Sequence, residues 1–265
     1  MYSNEKINDD TYLILDDNNE AMYLIVGSEK ALLIDTGFDA ESLYDYVSKL
    51  TDKEIDVVLT HGHIDHIAQS YEFENVYLAP ADLPVYITST SKIELGSPYH
   101  TKAPSDLLDL PAYFDLGNKD ILTLPLIGHT PGSHILIDAA NKCIYTGDAI
   151  GSGCGVWMQL DDALDILTYK NSLSYTIDAL KRIGVDDSWS FYGGHYGQHL
   201  QSKVSDHNPL NLTLMENMCG LCDQILLNLV EYEETEILKG KHTPYYVSYH
   251  TAEMFLTKDK VNKLN

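Results

Sequence analysis

Positive charge is scarce in this 265-residue chain. Lys and Arg number 17 against 40 Asp and Glu, the formal net charge is −23, and Arg182 is the one arginine. A surface of this kind repels phosphate backbones and anionic lipid. We therefore expect neither a nucleic-acid partner nor a membrane partner. We expect a small-molecule substrate.

Long apolar runs and cysteines are also few. Residues 1–6 are polar and contain no apolar signal core, and no run approaches the roughly 18 residues that span a bilayer. The four cysteines are too few for a disulfide scaffold at this length. We expect a cytoplasmic globular protein with one domain over 1–265, in which 206–265 form a C-terminal helix plus strand extension.

Apolar segments alternate between strand-like and helix-like patterns, which predicts an α/β fold. Strands are expected at 12–15, 21–26, 31–34, 55–59, 74–79, 120–127, 134–138, 143–146 and 189–192, with a final pair within 244–257. Helices are expected after Asp39, near Asp65, over 81–91, from Asp161 or Asp162, and over roughly 208–231. Residues 95–118 are rich in Gly and Pro and predict a long connection of the kind that covers a site.

The most informative segment is 60–66, Thr-His-Gly-His-Ile-Asp-His, which directly follows the apolar run 55–59. Imidazole nitrogens together with a carboxylate suit zinc and its neighbours, not calcium or magnesium. The two histidines that lie two residues apart can bind one metal from the same side, and the next carboxylate and histidine can hold a second. These candidate ligands are His61, His63, Asp65 and His66.

Three later strands also end in a candidate ligand, namely His129, Asp148 and His195. A glycine precedes each of them, and glycine lets the backbone turn sharply or approach a ligand closely. The ends of neighbouring strands converge at one edge of a sheet, so we expect all these ligands to meet there. They are enough for two metals with water between them.

This set of motifs resembles the metallo-β-lactamase-fold hydrolase superfamily over about residues 10–200. The resemblance implies an αβ/βα sandwich of two mixed β-sheets with outer helices. It implies that Asp35, in an Asp-Thr-Gly turn, orients a ligand without binding metal. The ligand sets that it implies are His61, His63 and His129 for the first metal, Asp65, His66 and His195 for the second, and Asp148 as the bridge.

The expected chemistry follows from these ligands. Two dications that share a water lower its pKa from about 15.7 toward 7, so hydroxide is available at neutral pH to cleave a small ester, thioester or lactone. Zinc is the expected metal, two ions per chain, with Mn²⁺ and iron as alternatives. Asp65 is the candidate proton acceptor. Tyr192 or Tyr196, beside His195, is a candidate donor to the oxyanion, with packing as the alternative role.

Other residues near the motifs are open to more than one interpretation. Trp157 and Met158 follow a glycine-rich loop after Asp148, and they are candidates for an apolar substrate wall or for packing against the next helix. We interpret His134 as a supporting residue. The remaining candidates are His100, which we interpret as an exposed loop residue, and Cys219 and Cys222, which we interpret as structural thiols.

Several alternatives share the same ligands. Residues 129–134 resemble glyoxalase-II-type thioesterases, although the region near the C-terminus offers only lysines, such as Lys239 and Lys241, for an anionic carrier. A lactonase, a β-lactam hydrolase and a phosphodiester hydrolase are related options. A diiron oxidoreductase of the flavodiiron type is a different class. It is disfavoured because proteins of that type typically have Glu at the position that His63 occupies in this chain. A metal-free binding protein is a third class. Residues 245–249 are rich in tyrosine, and two roles are considered for them: a contact in a homodimer, or a cover over the pocket.

Overall fold

The computed structural model describes residues 1–93 and 97–261. The strands in these residues are β1 Ser3–Asn8, β2 Thr11–Leu15, β3 Ala21–Val26, β4 Lys30–Ile34, β5 Glu54–Val58, β6 Asn75–Leu78, β7 Leu108–Asp109, β8 Tyr113–Asp115, β9 Asp120–Pro125, β10 His134–Asp138, β11 Cys143–Gly147, β12 Val156–Met158, β13 Ser190–Gly193, β14 Glu233–Glu234, β15 Tyr245–Tyr249 and β16 Ala252–Leu256. The α-helices are α1 Leu43–Val47, α2 Ile64–Ile67, α3 Leu83–Ser91, α4 Ile166–Arg182 and α5 Leu212–Leu226. The predicted α/β class is confirmed.

The chain divides into two compact units. Unit 1 comprises Met1–Leu124, Leu136–Asn141 and Gly194–Tyr196, and unit 2 comprises Pro125–Ile135, Lys142–Gly193 and Gly197–Asn265. The expectation of one domain over 1–265, with an extension at 206–265, stays a prediction.

Unit 1 is built on a seven-stranded mixed sheet in the order β1-β2-β3-β4-β5-β6-β7. The strands β1 to β4 pair antiparallel, and β4 to β7 pair parallel, with Leu33 opposite Val57 in the central pair. The central strands are nearly continuous apolar runs because both of their faces are buried. The parallel arrangement brings the C-terminal ends of β4 and β5 to the same edge.

Unit 1 differs from the prediction in three features. The polar strand β1 was not expected, and it forms the exposed edge of the sheet beside β2. Helix α1 is capped by Ser42 and not by Asp39, whose carboxylate accepts from the N-terminal amino group at 2.8 Å and from Glu41 N at 2.9 Å. The long connection contains the short strands β7 and β8, and its positions 95 and 96 lie outside the described residues.

Unit 2 contains α4 and α5, which pack against each other. Helix α4 begins later than expected: Asp165 caps it by accepting from Thr168 N at 3.0 Å, so Asp161 and Asp162 lie before the helix. Its buried side chains recur at helical spacing, and they include the predicted apolar residues Leu173, Ile177 and Leu180.

A four-stranded sheet in unit 2 has the order β12-β16-β15-β14. The predicted final strand pair is the antiparallel hairpin β15–β16, and β16 also pairs in parallel with β12. Within unit 2, β11 also pairs in parallel with β13, and within unit 1, β8 pairs antiparallel with β9. Within residues 1–93 and 97–261, no helix combines the length and hydropathy that a membrane span requires.

Candidate metal centre

Four imidazole rings lie together in unit 1, beyond the C-terminal end of β5. The ring centroid of His61 is 4.7 Å from that of His63 and 4.2 Å from that of His66. The His66 centroid is 5.3 Å from that of His195. The 60–66 segment and the distant His195 therefore meet, as the sequence predicted.

Asp65 lies between two of these histidines. Its Oδ2 atom is 4.0 Å from His66 Nε2 and 3.8 Å from His195 Nε2. Two ligands of one tetrahedral zinc ion are about 3.3 Å apart when each bond is 2.0–2.2 Å. The two nitrogens and the carboxylate oxygen therefore fit a single cation with a small inward movement.

The other nitrogen of each histidine contacts a carboxylate. His66 Nδ1 is 2.8 Å from Asp35 Oδ2, and His195 Nδ1 contacts Glu20 Oε2. A carboxylate that accepts Nδ1–H fixes the tautomer in which Nε2 carries the lone pair, which is a common arrangement at metal sites. Both Nε2 atoms are thereby directed at Asp65.

Asp35 is held in position by several contacts at the end of β4. It has a left-handed backbone conformation, with φ 61°, which Asp adopts more readily than most residues. Its carboxylate also accepts from Thr60 N at 2.7 Å and from Thr60 Oγ1 at 2.8 Å. The structure thus places Asp35 in a buried network against His66, and its role as the residue that orients a ligand stays a prediction.

Sequence reasoning missed Glu20. It is 9% exposed, and together with Asp65, His66 and His195 it forms a group whose potential ligand atoms all lie within 4.8 Å of one another. Burial raises its pKa to about 7, although the hydrogen bond with His195 opposes this shift. No local motif marks this residue, because its partner is far away in the sequence.

Gly62 allows the His-Gly-His segment to lie against α3. A Cβ atom at this position would be 2.7 Å from Tyr86 N and 3.1 Å from Asp82 O. Gly62 N donates to Asp82 Oδ2 at 2.6 Å. The glycine between the two histidines is therefore required by close packing.

Unit 2 contains the two remaining predicted ligands. His129 Nε2 is 3.9 Å from Asp148 Oδ2, and His129 Nδ1 is 3.0 Å from the carbonyl oxygen of Trp157. A Cβ at Gly128 would lie 2.1 Å from the buried ring of Tyr169, so only glycine fits before His129. A backbone carbonyl thus orients this histidine, as carboxylates orient the two in unit 1.

The residue predicted to support the site and the residues predicted to contact substrate differ in their burial and contacts. The His134 Nδ1 atom is 2.7 Å from Gly132 O, and burial lowers the pKa of this histidine while that carbonyl opposes the shift. Trp157 is half-buried, whereas Met158 is fully buried in β12. Tyr192 stacks on Tyr145, with ring centroids 5.6 Å apart. Tyr196 is exposed.

Comparison with known proteins identifies a family and a named relative. A family model described as the metallo-beta-lactamase superfamily matches residues 15–195. The acyl-coenzyme A thioesterase MBLAC2 of Gallus gallus is 24% identical over 198 residues, which cover 64% of this chain and 69% of that protein.

Two solved structures show the same fold. A metallo-beta-lactamase from Pontibacter korlensis has a TM-score of 0.61 at 14% identity and covers 84% of this chain and 99% of its own. TTHA1623 in a di-iron-bound form has a TM-score of 0.55 at 24% identity and covers 68% and 89%. At these identities the likeness shows the fold alone, and the predicted fold is confirmed.

Proposed function

The chain belongs to the metallo-beta-lactamase superfamily, and from this premise we propose that it is a dinuclear-metal hydrolase. The proposed reaction is cleavage of a small ester, thioester or lactone. The observation that carries the proposal is the presentation of two histidine Nε2 atoms to Asp65, each ring being held at Nδ1 by a carboxylate. Such pairs of carboxylate and histidine serve metal ligation, because they leave Nε2 with its lone pair.

The proposed ligands are those of the family motif. Zinc, two ions per chain, is the proposed metal, because nitrogen-rich donor sets suit zinc and its neighbours. The proposed sets are His61, His63 and His129 for one ion, Asp65, His66 and His195 for the other, and Asp148 for both.

The proposed mechanism is hydrolytic. When bound, two dications supply hydroxide at neutral pH and polarise the substrate carbonyl. Asp65 is 31% exposed at its side chain, so it can accept a proton at the open side of the site. We assign Tyr196 as the donor to the developing oxyanion, because it directly follows His195 and its side chain is accessible.

A thioester is the favoured substrate within this class. The Gallus gallus relative is named an acyl-coenzyme A thioesterase, and hydrolysis of a thioester adds the water oxygen to the carbonyl carbon, breaks the C–S bond and releases a thiol and a carboxylate. Trp157 is half-buried beside His129 and is the proposed apolar wall for the acyl chain. Met158 and Tyr192 receive packing roles instead, from their burial and stacking.

The test is metal analysis combined with a substrate panel. The purified chain is reconstituted with zinc, manganese or iron and assayed on matched thioesters, esters, lactones and a phosphodiester. About two zinc ions with hydrolysis of the first three substrates supports the proposal. Two irons with oxygen-dependent electron transfer and no hydrolysis would assign the diiron oxidoreductase class instead, and a folded chain that binds no metal would contradict both.

A variant of His63 tests the ligand assignment. We expect His63→Ala to abolish hydrolysis of a thioester or lactone while the fold is retained, because one nitrogen donor is lost from the first metal set. Metal content, turnover and circular dichroism are measured in parallel. His207→Ala, which removes an exposed imidazole, is the control. Unchanged activity with unchanged metal content would contradict the assignment.

A further inference from the structure

Glu20 lies beside His195 through both its backbone and its side chain. Residues 20 and 195 form an isolated antiparallel bridge, and Ala21 N donates to Gly194 O at 2.8 Å. The carboxylate then reaches His195 Nδ1. The contact joins the start of β3 to the segment that follows β13, and all of these atoms belong to unit 1.

Two roles are open to a carboxylate at this place: direct metal ligation, or orientation of a ligand. The two nitrogens of His195 decide between them. Nδ1 faces Glu20, while Nε2 is 3.8 Å from Asp65 Oδ2. The lone-pair directions of these nitrogens diverge widely around the ring, so the Glu20 oxygen that contacts Nδ1 does not lie in the direction of the cation that Nε2 and Asp65 would share, although ligand atoms of Glu20, Asp65, His66 and His195 all lie within 4.8 Å of one another. The geometry favours orientation.

The pair formed by Asp35 and His66 supports the same role. Asp35 contacts His66 Nδ1 at 2.8 Å, and His66 Nε2 is 4.0 Å from the same Asp65 oxygen. The two histidines therefore share one arrangement, in which a carboxylate holds Nδ1 and Nε2 faces Asp65. Glu20 does for His195 what Asp35 does for His66.

We propose that Glu20 is the positioning residue of His195: it accepts Nδ1–H, fixes the tautomer that exposes the Nε2 lone pair, and thereby sets affinity at the metal position shared with Asp65 and His66. This inference rests on the proposed metal centre. Glu20 is nine-tenths buried, and an isolated buried carboxylate is costly unless it is hydrogen-bonded. The hydrogen bond with His195 offsets this cost, and the need to orient His195 explains a carboxylate at this buried position.

The first experiment reads the tautomer in metal-free protein, so it does not depend on catalysis. The full chain is labelled with ¹⁵N-histidine, and a His195→Gln variant assigns the resonances. We expect the wild type to show His195 protonated at Nδ1, and Glu20→Leu to move the proton toward Nε2, the tautomer that free imidazole side chains prefer. An unchanged tautomer in a folded Glu20→Leu variant would overturn the proposal.

The second experiment measures metal affinity at the position concerned. Zinc is titrated in competition with a chelator against the His63→Ala background, in which only the second ligand set remains complete. Removal of a partner of this kind lowers metal affinity about 10- to 100-fold, and we expect this loss for Glu20→Leu and a smaller one for Glu20→Gln, which keeps an acceptor oxygen. The matched control is Glu253→Gln, a buried carboxylate of unit 2 that accepts from Tyr246, Ser202 and Lys203.

The outcomes separate the two proposals. Equal affinity in the Glu20 and Glu253 variants would reduce Glu20 to a structural contact, whatever the chain hydrolyses. Absence of hydrolysis with the expected tautomer change and affinity loss would contradict the hydrolase and leave Glu20 as the positioning residue. If Glu20→Leu does not fold, Glu20→Ala, which also removes the acceptor, supplies both measurements.

Discussion

Gly62 shows how one missing side chain positions the imidazoles of unit 1. Its neighbours in the sequence are His61 and His63, and its own Cα faces the backbone of α3 at Tyr86. The peptide N–H is also fixed, because it donates to the buried carboxylate of Asp82. Both histidines are therefore presented by a backbone that has no freedom to move outward without losing this contact.

We predict that Gly62→Ala weakens metal binding by about 10-fold or more and lowers the free energy of unfolding by about 1–3 kcal/mol, because the added methyl overpacks a site closed by backbone atoms. Urea unfolding and chelator competition measure the two effects. The control is Gly240→Ala, where a Cβ would meet nothing within 4 Å. If the two variants behave alike, the close packing at position 62 does not matter.

At this scale the sequence predicted residues that belong to motifs and missed those that act through space. Asp35 was identified because it stands in an Asp-Thr-Gly turn, and the structure places it against His66. Glu20 was missed because its contact with His195 spans most of the chain and only the paired backbone brings the two together. The cap of α1 was misplaced from Ser42 to Asp39 because both residue types favour helix starts.

Lys119 links three elements of unit 1. It lies in the turn between β8 and β9, is only 4% exposed at its side chain, and contacts Asp138 Oδ2 at 2.9 Å and Asp10 Oδ2 at 2.7 Å. Asn141 donates to the same two carboxylates. Burial would raise the pKa of Asp10, but the hydrogen bond and charge of Lys119 outweigh it and hold that pKa below its ordinary value.

We predict that Lys119→Ala lowers the free energy of unfolding by about 3–5 kcal/mol, since it leaves Asp138 buried without its cation. Because the pKa of Asp10 is lowered in the folded state, its contribution to stability is full above its ordinary value and is lost as the pH falls through the lowered one. The loss between neutral and acidic pH should therefore be smaller in the variant. Denaturant unfolding at several pH values measures this.

The control for this experiment is Lys239→Ala, which removes an exposed ion pair with Glu236 and should leave stability and its pH dependence unchanged. Equal stability of the two variants at neutral pH would show that Lys119 is not a structural cation.

Elements with long apolar patterns were predictable, and short polar ones were not. Strands β3, β4 and β5 were found because their runs are buried on both faces. Strands β1 and β14 are exposed and polar, so their pairing with a neighbour, not their own pattern, makes them strands. The start of α4 was predicted about four residues early because several aspartates precede it, and it is Asp165 that accepts from Thr168 N in the first turn.

The net charge of −23 bears on the proposed substrate at the scale of the whole molecule. Coenzyme A is a polyanion, so an acyl-coenzyme A thioester would approach against a repulsive field, whereas an uncharged thioester would not. Such a field is screened by salt, with a Debye length of about 30 Å at 0.01 M and about 8 Å at 0.15 M. Ionic strength therefore distinguishes the two classes of thioester.

We predict that kcat/KM for an acyl-coenzyme A rises roughly 3- to 10-fold between 0.01 and 0.15 M ionic strength, because screening removes the repulsion. The same acyl group on N-acetylcysteamine is the uncharged control and should show no change. A fall in kcat/KM for the coenzyme A ester with added salt would mean that a basic region of the chain attracts the carrier.

The family and its fold were predictable because the ligand motifs come in a characteristic order and setting, with His61 to His66 followed by His129, Asp148 and His195, and the family match at 15–195 covers them all. The substrate was not predictable, since residues that line a pocket carry no shared spacing. That the protein has no nucleic-acid partner and no membrane partner stays a prediction. A homodimer also stays a prediction.

The parallel pairing of β12 with β16 has a consequence for how the protein is handled. Trp157 lies opposite Phe255 in this pairing, and its carbonyl oxygen is the group that orients His129. Strand β16, the last strand within residues 97–261, thus supports a metal-ligand candidate from the middle of the sequence. Cleavage or a bulky fusion just before β16 would remove that brace and misalign His129, although every residue of the family motif would still be intact.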